Sequence, residues 1–137
     1  MSYSEIESLI KAEQMRQKKS FIDTDDIDKY IFKIKSNAEF ITHYTSGQCA
    51  GFIAFYCNEP TKKIAFITLV LLAPEFRGKG LASNLINYVI EHCKKNKFEK
   101  CSLEVRKDNL SAIKLYEKHG FKIKQDCDAK LLMSISF

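Results

Sequence analysis

The stretch Val70-Leu71-Leu72-Ala73-Pro74-Glu75-Phe76-Arg77-Gly78-Lys79-Gly80-Leu81-Ala82 decides how this chain is read. The apolar run from Ile64 to Leu72 has the pattern of a buried strand, and Pro74 stops it. A basic, glycine-broken turn follows, and an amphipathic helix begins near Leu81. Strand, glycine turn and helix start together make a grip for a pyrophosphate. Glycines admit close backbone approach, unpaired amide hydrogens point at the anion, and the positive end of the helix dipole adds attraction. The turn lacks the spacing and the Lys-Ser/Thr pair of a Walker loop, and the third glycine of a dinucleotide fingerprint. Tight strand-to-helix turns of this kind also occur with no ligand, so the turn alone leaves that alternative open.

Working outward, the apolar positions Ile6, Leu9, Ile10 and Ala12 predict a first helix over residues 4–19. Ile27, Tyr30, Ile31 and Ile34 predict a second, capped by Thr24 or Asp25. Residues 40–45, 50–57 and 63–72 then read as three strands of an antiparallel meander, broken at Ser46-Gly47 and Asn58-Glu59-Pro60. Leu81, Leu85, Ile86, Val89, Ile90 and Cys93 give the helix over residues 80–95 one apolar face. A strand at 100–105, a helix at 111–119 with Gly120 at its C-terminal end, and strands at 121–126 and 130–137 complete the chain. The expected fold is one α/β (α+β) domain over residues 1–137, a mixed, mainly antiparallel sheet with helices on both faces.

The chain has 137 residues, enough for one domain with a real core. Its net charge of +5 favours an anionic ligand or simply a basic surface. The lysines are scattered, with no basic block interleaved with aromatics, which argues against nucleic acid as partner. No window reaches the apolar length of a membrane span or a signal peptide, so the expectation is no membrane and a cytoplasmic location. The five cysteines show no Cys-x-x-Cys spacing, so buried thiols are expected, with no zinc site and no disulfide framework.

A second element, residues 103–121, reads Leu-Glu-Val-Arg-Lys-Asp-Asn-Leu-Ser-Ala-Ile-Lys-Leu-Tyr-Glu-Lys-His-Gly-Phe. Its pattern Asn109-x-x-Ala112-x-x-x-Tyr116-x-x-x-Gly120-Phe121, taken with Arg77-x-x-Gly80-x-Ala82, resembles the GNAT family of acetyl-CoA-dependent N-acetyltransferases. The resemblance implies a splayed strand pair that admits acetyl-CoA, with no metal. It implies that the backbone of Val70, Leu71 and Leu72 pairs with the pantetheine arm. The amides of Arg77, Gly78, Lys79, Gly80, Leu81 and Ala82 would then hold the pyrophosphate. Asn109 would bond the arm or the thioester end, and Tyr116 would protonate the leaving thiolate.

Glu104 is the candidate general base. It alternates with Leu103 and Val105, and Leu-Glu-Val-Arg resembles the segment carrying the base of ribosomal-protein N-terminal-alanine acetyltransferases. The competing reading is a solvent-facing glutamate balancing Arg106 or Lys100. His119 is expected to meet helix carbonyls and His43 to be a surface histidine. Tyr30 and Tyr44 are either acceptor-pocket or core residues, and Lys79 and Lys114 either contact the cofactor's 3′-phosphate or are solvated. The expected reaction is acetyl transfer to a primary amine of a small molecule. Alternatives are a protein N-terminus as acceptor, or a non-catalytic acyl-CoA-binding module. The family's usual first strand has no clear counterpart before Ile6. Either residues 1–4 supply a fragment or the edge is absent, and a bare edge would favour a homodimer.

Overall fold

Every residue of β2 (Gln48–Tyr56) between Cys49 and Phe55 is buried, so this strand is covered on both faces. Because side chains alternate along a strand, its apolar residues divide between two cores. Phe52 and Ala54 pack with Ile6 and Ile10 of α1 (Tyr3–Gln17) and Ile31 and Ile34 of α2 (Ile27–Asn37). Ile53 and Phe55 pack on the other face with Leu85, Ile86 and Val89 of α3 (Leu81–Lys95). Each buried Ile, Leu, Val or Phe among them contributes about 1.5–3 kcal/mol, before the entropy of ordering it is set against that. The computed structural model describes residues 3–17, 22, 24–58, 60–61 and 63–137.

Around β2 lie β1 (Glu39–Thr45), β3 (Ile64–Leu72), β4 (Lys100–Arg106), β5 (Lys122–Cys127) and β6 (Lys130–Ser136). The sheet runs β1-β2-β3-β4-β6-β5. The first three strands are the antiparallel meander that the turn residues predict. β3 and β4 are parallel, with α3 as the crossover, and β6 lies between β4 and β5, antiparallel to both. α4 (Leu110–Lys118) adds Ile113 to the α3 side of the core. The mixed sheet with helices on both faces is therefore as expected.

Some details differ. Asp26 caps α2, its carboxylate accepting from the Lys29 amide at 3.0 Å, whereas Thr24 accepts from the Asp26 amide at 3.1 Å. The cap is thus Asp26 and neither Thr24 nor Asp25. A short 3₁₀ turn, Pro74–Phe76, separates β3 from the glycine turn. Tyr3 and Ser4 are helical, so they supply no strand fragment, and among the described residues β1 forms an edge of the sheet. Met1, Ser2, Lys18, Lys19 and Glu59 lie outside the described residues.

β3 contains the feature that positions the site. Ala54 of β2 pairs with Leu69, but the next residue, Phe55, pairs with Ile67, so Thr68 is an extra residue. A one-residue bulge reverses which side chains face which way. Accordingly Ala65 and Ile67 belong to the α3 core, while Leu69 and Leu71 belong to the α1–α2 core. The parallel pairing with β4 also ends here, at Ile67 with Leu103.

Candidate functional site

Beyond Ile67 and Leu103 the two parallel strands part, and a groove of about 1460 Å³ opens between them. Thr68 to Leu72 form one wall of it, and Leu103 to Arg106 another. The backbone groups of β3 that point away from β2 here have no strand partner, which is what an extended chain needs to pair alongside. Tyr30 of α2 lines the same groove, its hydroxyl close to the Thr68 side chain. Tyr30 thus brings α2 to the bulge.

At the end of β3 the glycine turn presents its amides. Gly78 and Gly80 have φ of +78° and +79°, a left-handed conformation that costs other residues about 1–2 kcal/mol. A Cβ at either would meet nothing within 4 Å, so the space above the turn is open. Gly80 is the N-cap of α3 and offers no side chain to cap it. The first helical bond closes from Asn84 to the Gly80 carbonyl, at 3.2 Å. The preceding N–H groups, from Gly78 to Ser83, donate to no backbone carbonyl outside the helix and are placed for an anion. The Arg77 amide differs, since it closes the 3₁₀ turn onto Pro74 O at 3.3 Å.

The Arg77 side chain has a structural task. Its guanidinium donates to the Leu72 carbonyl at 3.2 and 3.0 Å and to Glu13 Oε1 at 2.9 Å. Glu13 is 2 % exposed and also accepts from Arg16 and Gln17. Burial by itself would raise the Glu13 pKa. Hydrogen bonds from Arg16, Gln17 and Arg77, with the Arg77 charge, outweigh burial and hold it below the ordinary carboxylate range. This node joins α1, the end of β3 and the glycine turn.

Glu104, Asn109 and Tyr116 all line the groove with Val70, Leu71, Leu72, Arg77, Gly78, Gly80, Leu81 and Ala82. Glu104 is exposed between buried Leu103 and Val105, so the strand alternation is as the sequence suggests. Asn109 is the N-cap of α4, its Oδ1 accepting from the Ala112 amide at 3.3 Å. What it offers a ligand is therefore the amide nitrogen. Tyr116 packs edge-on against Phe121, with ring centroids 5.9 Å apart. Burial pushes its phenol up to about 12, so it is a hydrogen-bond donor at neutral pH.

Other candidates fall elsewhere. Lys79 is absent from the groove lining and lies over the Phe76 ring at 5.6 Å. Lys114 and Tyr44 also lie outside that lining. His43 lines a separate, smaller hollow with Tyr88 and His92. The His119 ring meets Ser83 Oγ at 2.8 Å and not the helix carbonyls, a bond between α3 and α4 that its position before Gly120 did not suggest. Burial, with some help from Lys118, holds its pKa below the usual histidine value. Sequence reasoning missed Glu13 and the Tyr30–Thr68 pair. A signal existed for the first: Glu13 lies on the helical stripe of Ile6 and Ile10, where a carboxylate must have partners.

The profile of the acetyltransferase (GNAT) family matches residues 5–121. An uncharacterized N-acetyltransferase of Methanocaldococcus jannaschii is 32% identical over 101 residues, 71% of this chain and 44% of that protein. A putative ribosomal protein bS18-alanine N-acetyltransferase of Bacillus subtilis is 36% identical over 81 residues, 58% of this chain and 54% of that protein. The chain thus spans about half the length of these curated relatives. Among solved structures, Arabidopsis thaliana Naa50 in complex with the bisubstrate analogue CoA-Ac-MVNAL superposes with a TM-score of 0.69 at 26% identity. The match covers 77% of this chain and 80% of that one. With both motifs in one groove and the family profile spanning most of its length, the chain belongs to the GNAT family of acetyltransferases.

Proposed function

We propose that this chain transfers the acetyl group of acetyl-CoA to a primary amine by direct attack, with a small-molecule amine as acceptor. The observation that carries this reading is the opening of β3 from β4 at Thr68, which brings the glycine turn, Glu104, Asn109 and Tyr116 to one groove. Amides of Gly78, Lys79, Gly80, Leu81 and Ala82 hold the pyrophosphate, and the Val70–Leu72 backbone aligns the pantetheine arm. An alkyl amine with a pKa near 10.4 is unprotonated in about one molecule in 2,500 at pH 7, equivalent to about 4.6 kcal/mol of barrier. Glu104 accepts the amine's proton, directly or through water, and removes part of that cost. A backbone amide near Leu72 donates to the thioester oxygen as charge develops there.

Tyr116 stabilises the departing sulfur. Burial raises the Tyr116 phenol above the range of an alkyl thiol, so complete proton transfer to the departing thiolate is uphill. The phenol therefore acts through a hydrogen bond, and the proton lost by the amine balances the one the thiol gains. Asn109 donates its amide nitrogen to the arm from the α4 side.

A second acceptor class, a protein N-terminus, is favoured by the names of two similar proteins, the bS18-alanine acetyltransferase and the Naa50 complex. A screen reading thiol release from acetyl-CoA tests both classes, with polyamines, amino sugars and amine antibiotics against peptides with free N-termini. The small-molecule reading fails if only peptides release thiol, and the enzymatic reading fails if nothing does. Tyr116→Phe should lower kcat about 10²-fold or more while acetyl-CoA still binds as to the parent. Turnover at the parent rate would remove Tyr116 from the mechanism. The edge presented by β1 makes a homodimer part of the same proposal, and sedimentation of the purified chain tests it.

A further inference from the structure

At the end of α3 remote from the glycine turn, three side chains with metal-binding atoms meet. Glu39 opens β1, Cys57 follows β2, and His92 lies in the last turn of α3. One ligand atom from each lies within 4.8 Å of the other two. His92 Nε2 is 3.6 Å from a Glu39 carboxylate oxygen. Nitrogen and oxygen bound tetrahedrally to one zinc, at about 2.0–2.1 Å each, are roughly 3.3 Å apart. Small side-chain adjustments therefore suffice to close the set on an ion.

The surroundings hold these groups in place. Phe55 lies edge-on to the His92 ring with centroids 5.4 Å apart, and Cys93 Sγ lies 3.9 Å from Cys57 Sγ. Glu39 and His92 are partly exposed, with side-chain accessibilities of 44% and 36%, so an ion reaches them from solvent. At about 1.5 Å per residue, the rise of α3 from Leu81 to His92 is roughly 16 Å. The cluster is thus remote from the glycine turn, and none of its three residues lines the groove.

We propose that Glu39, Cys57 and His92 bind one zinc-class divalent cation. A thiolate, a carboxylate and a neutral imidazole bring a charge of −2, which the cation neutralises. One sulfur, one nitrogen and one oxygen suit zinc or cobalt(II), whereas magnesium and calcium take oxygen ligands. Binding forms the metal–sulfur bond and releases the Cys57 thiol proton to solvent, and water completes the fourth position. The neighbouring Cys93 is placed to support the thiolate from outside the ligand set. The ion would join the edge strand β1, the end of β2 and the end of α3. The expectation of no zinc site rested on sequence spacing, and these ligands come from three separate elements.

Cobalt(II) titration of the untagged, reduced chain tests this proposal. One equivalent should produce a thiolate-to-cobalt charge-transfer band that zinc then displaces. Cys57→Ser should abolish the band while acetyl-CoA binding shows the variant to be folded, and Cys127→Ser, on β5, should keep it. His92→Ala and Glu39→Gln should each weaken zinc binding by more than about tenfold in competition with a chromophoric chelator. Zinc should also raise the thermal midpoint of the parent and leave that of Cys57→Ser unmoved. The proposal is overturned if the folded parent shows no band, if the band survives Cys57→Ser, or if Glu39→Gln and His92→Ala bind zinc like the parent.

Discussion

A carboxylate that is 2 % exposed persists in a folded chain only with partners, and Glu13 has Arg16, Gln17 and Arg77. Its lowered pKa makes the folded state bind a proton less readily than the unfolded one. The stability it supplies is full above the ordinary value of 4.5 and is lost as pH falls through the lower folded value. Glu13→Gln should cost about 2 kcal/mol at neutral pH, the scale of a charged hydrogen bond. It should also flatten the fall in stability below pH 4.5 seen in denaturant titrations of the parent. Parallel slopes for the two proteins would show that Glu13 does not carry this effect. Because Arg77 loses an anchor, the KM for acetyl-CoA should rise in the same variant. At this scale the resemblance to the family's motifs singled out Asn109, Tyr116 and Glu104, and all three line the groove. The sequence was silent on the Arg77 side chain, because Glu13 and Leu72 reach it only through tertiary packing.

β3 shows why some elements are legible and some are not. Its run Ile64–Leu72 declares a buried strand, since strands covered on both faces are apolar throughout. For the same reason it conceals the bulge. Where either face is apolar, a one-residue slip leaves an apolar side chain at each position, so no pattern breaks. Thr68, the single polar residue of the run, is the only trace of it. Gly51, opposite Leu72, is the other constraint on this wall. A Cβ there would lie 2.4 Å from Leu72 Cδ2 and 2.7 Å from the Leu71 carbonyl oxygen. The leucine methyl can rotate aside, but the backbone oxygen cannot, so the end of β3 must move. Gly51→Ala should therefore cost about 1–3 kcal/mol and weaken acetyl-CoA binding together. Thermal unfolding and a thiol-release KM measure the two effects. An alanine variant matching the parent in both would mean that this end of β3 is not held as described.

The whole molecule is two sheet halves joined along a short seam. β1, β2 and β3 with α1 and α2 form one half, and β4, β6 and β5 with α4 form the other. The halves share the α3-side core and the parallel pairing of Ile64–Ile67 with Lys100–Leu103, beyond which they diverge. The layering and the meander were legible from hydrophobic periods and turn residues. The divergence entered only through family resemblance, because period reading does not report where a parallel pairing stops. A ligand seated in the groove would touch both halves, taking the place of the missing strand pairing. Acetyl-CoA at about 100 times its Kd should then stabilise the fold by about 2.7 kcal/mol, seen as a higher thermal midpoint. The gain should be local as well as global. Amide hydrogen exchange should slow at Val70–Leu72 through pairing with the arm, and at Gly78–Ala82 through contact with the pyrophosphate. The β1 and β5 edges, which the ligand does not touch, should exchange at rates reflecting only the global gain. If saturating acetyl-CoA slows all segments equally and leaves no added protection at the β3 end or the glycine turn, the groove is not where it binds.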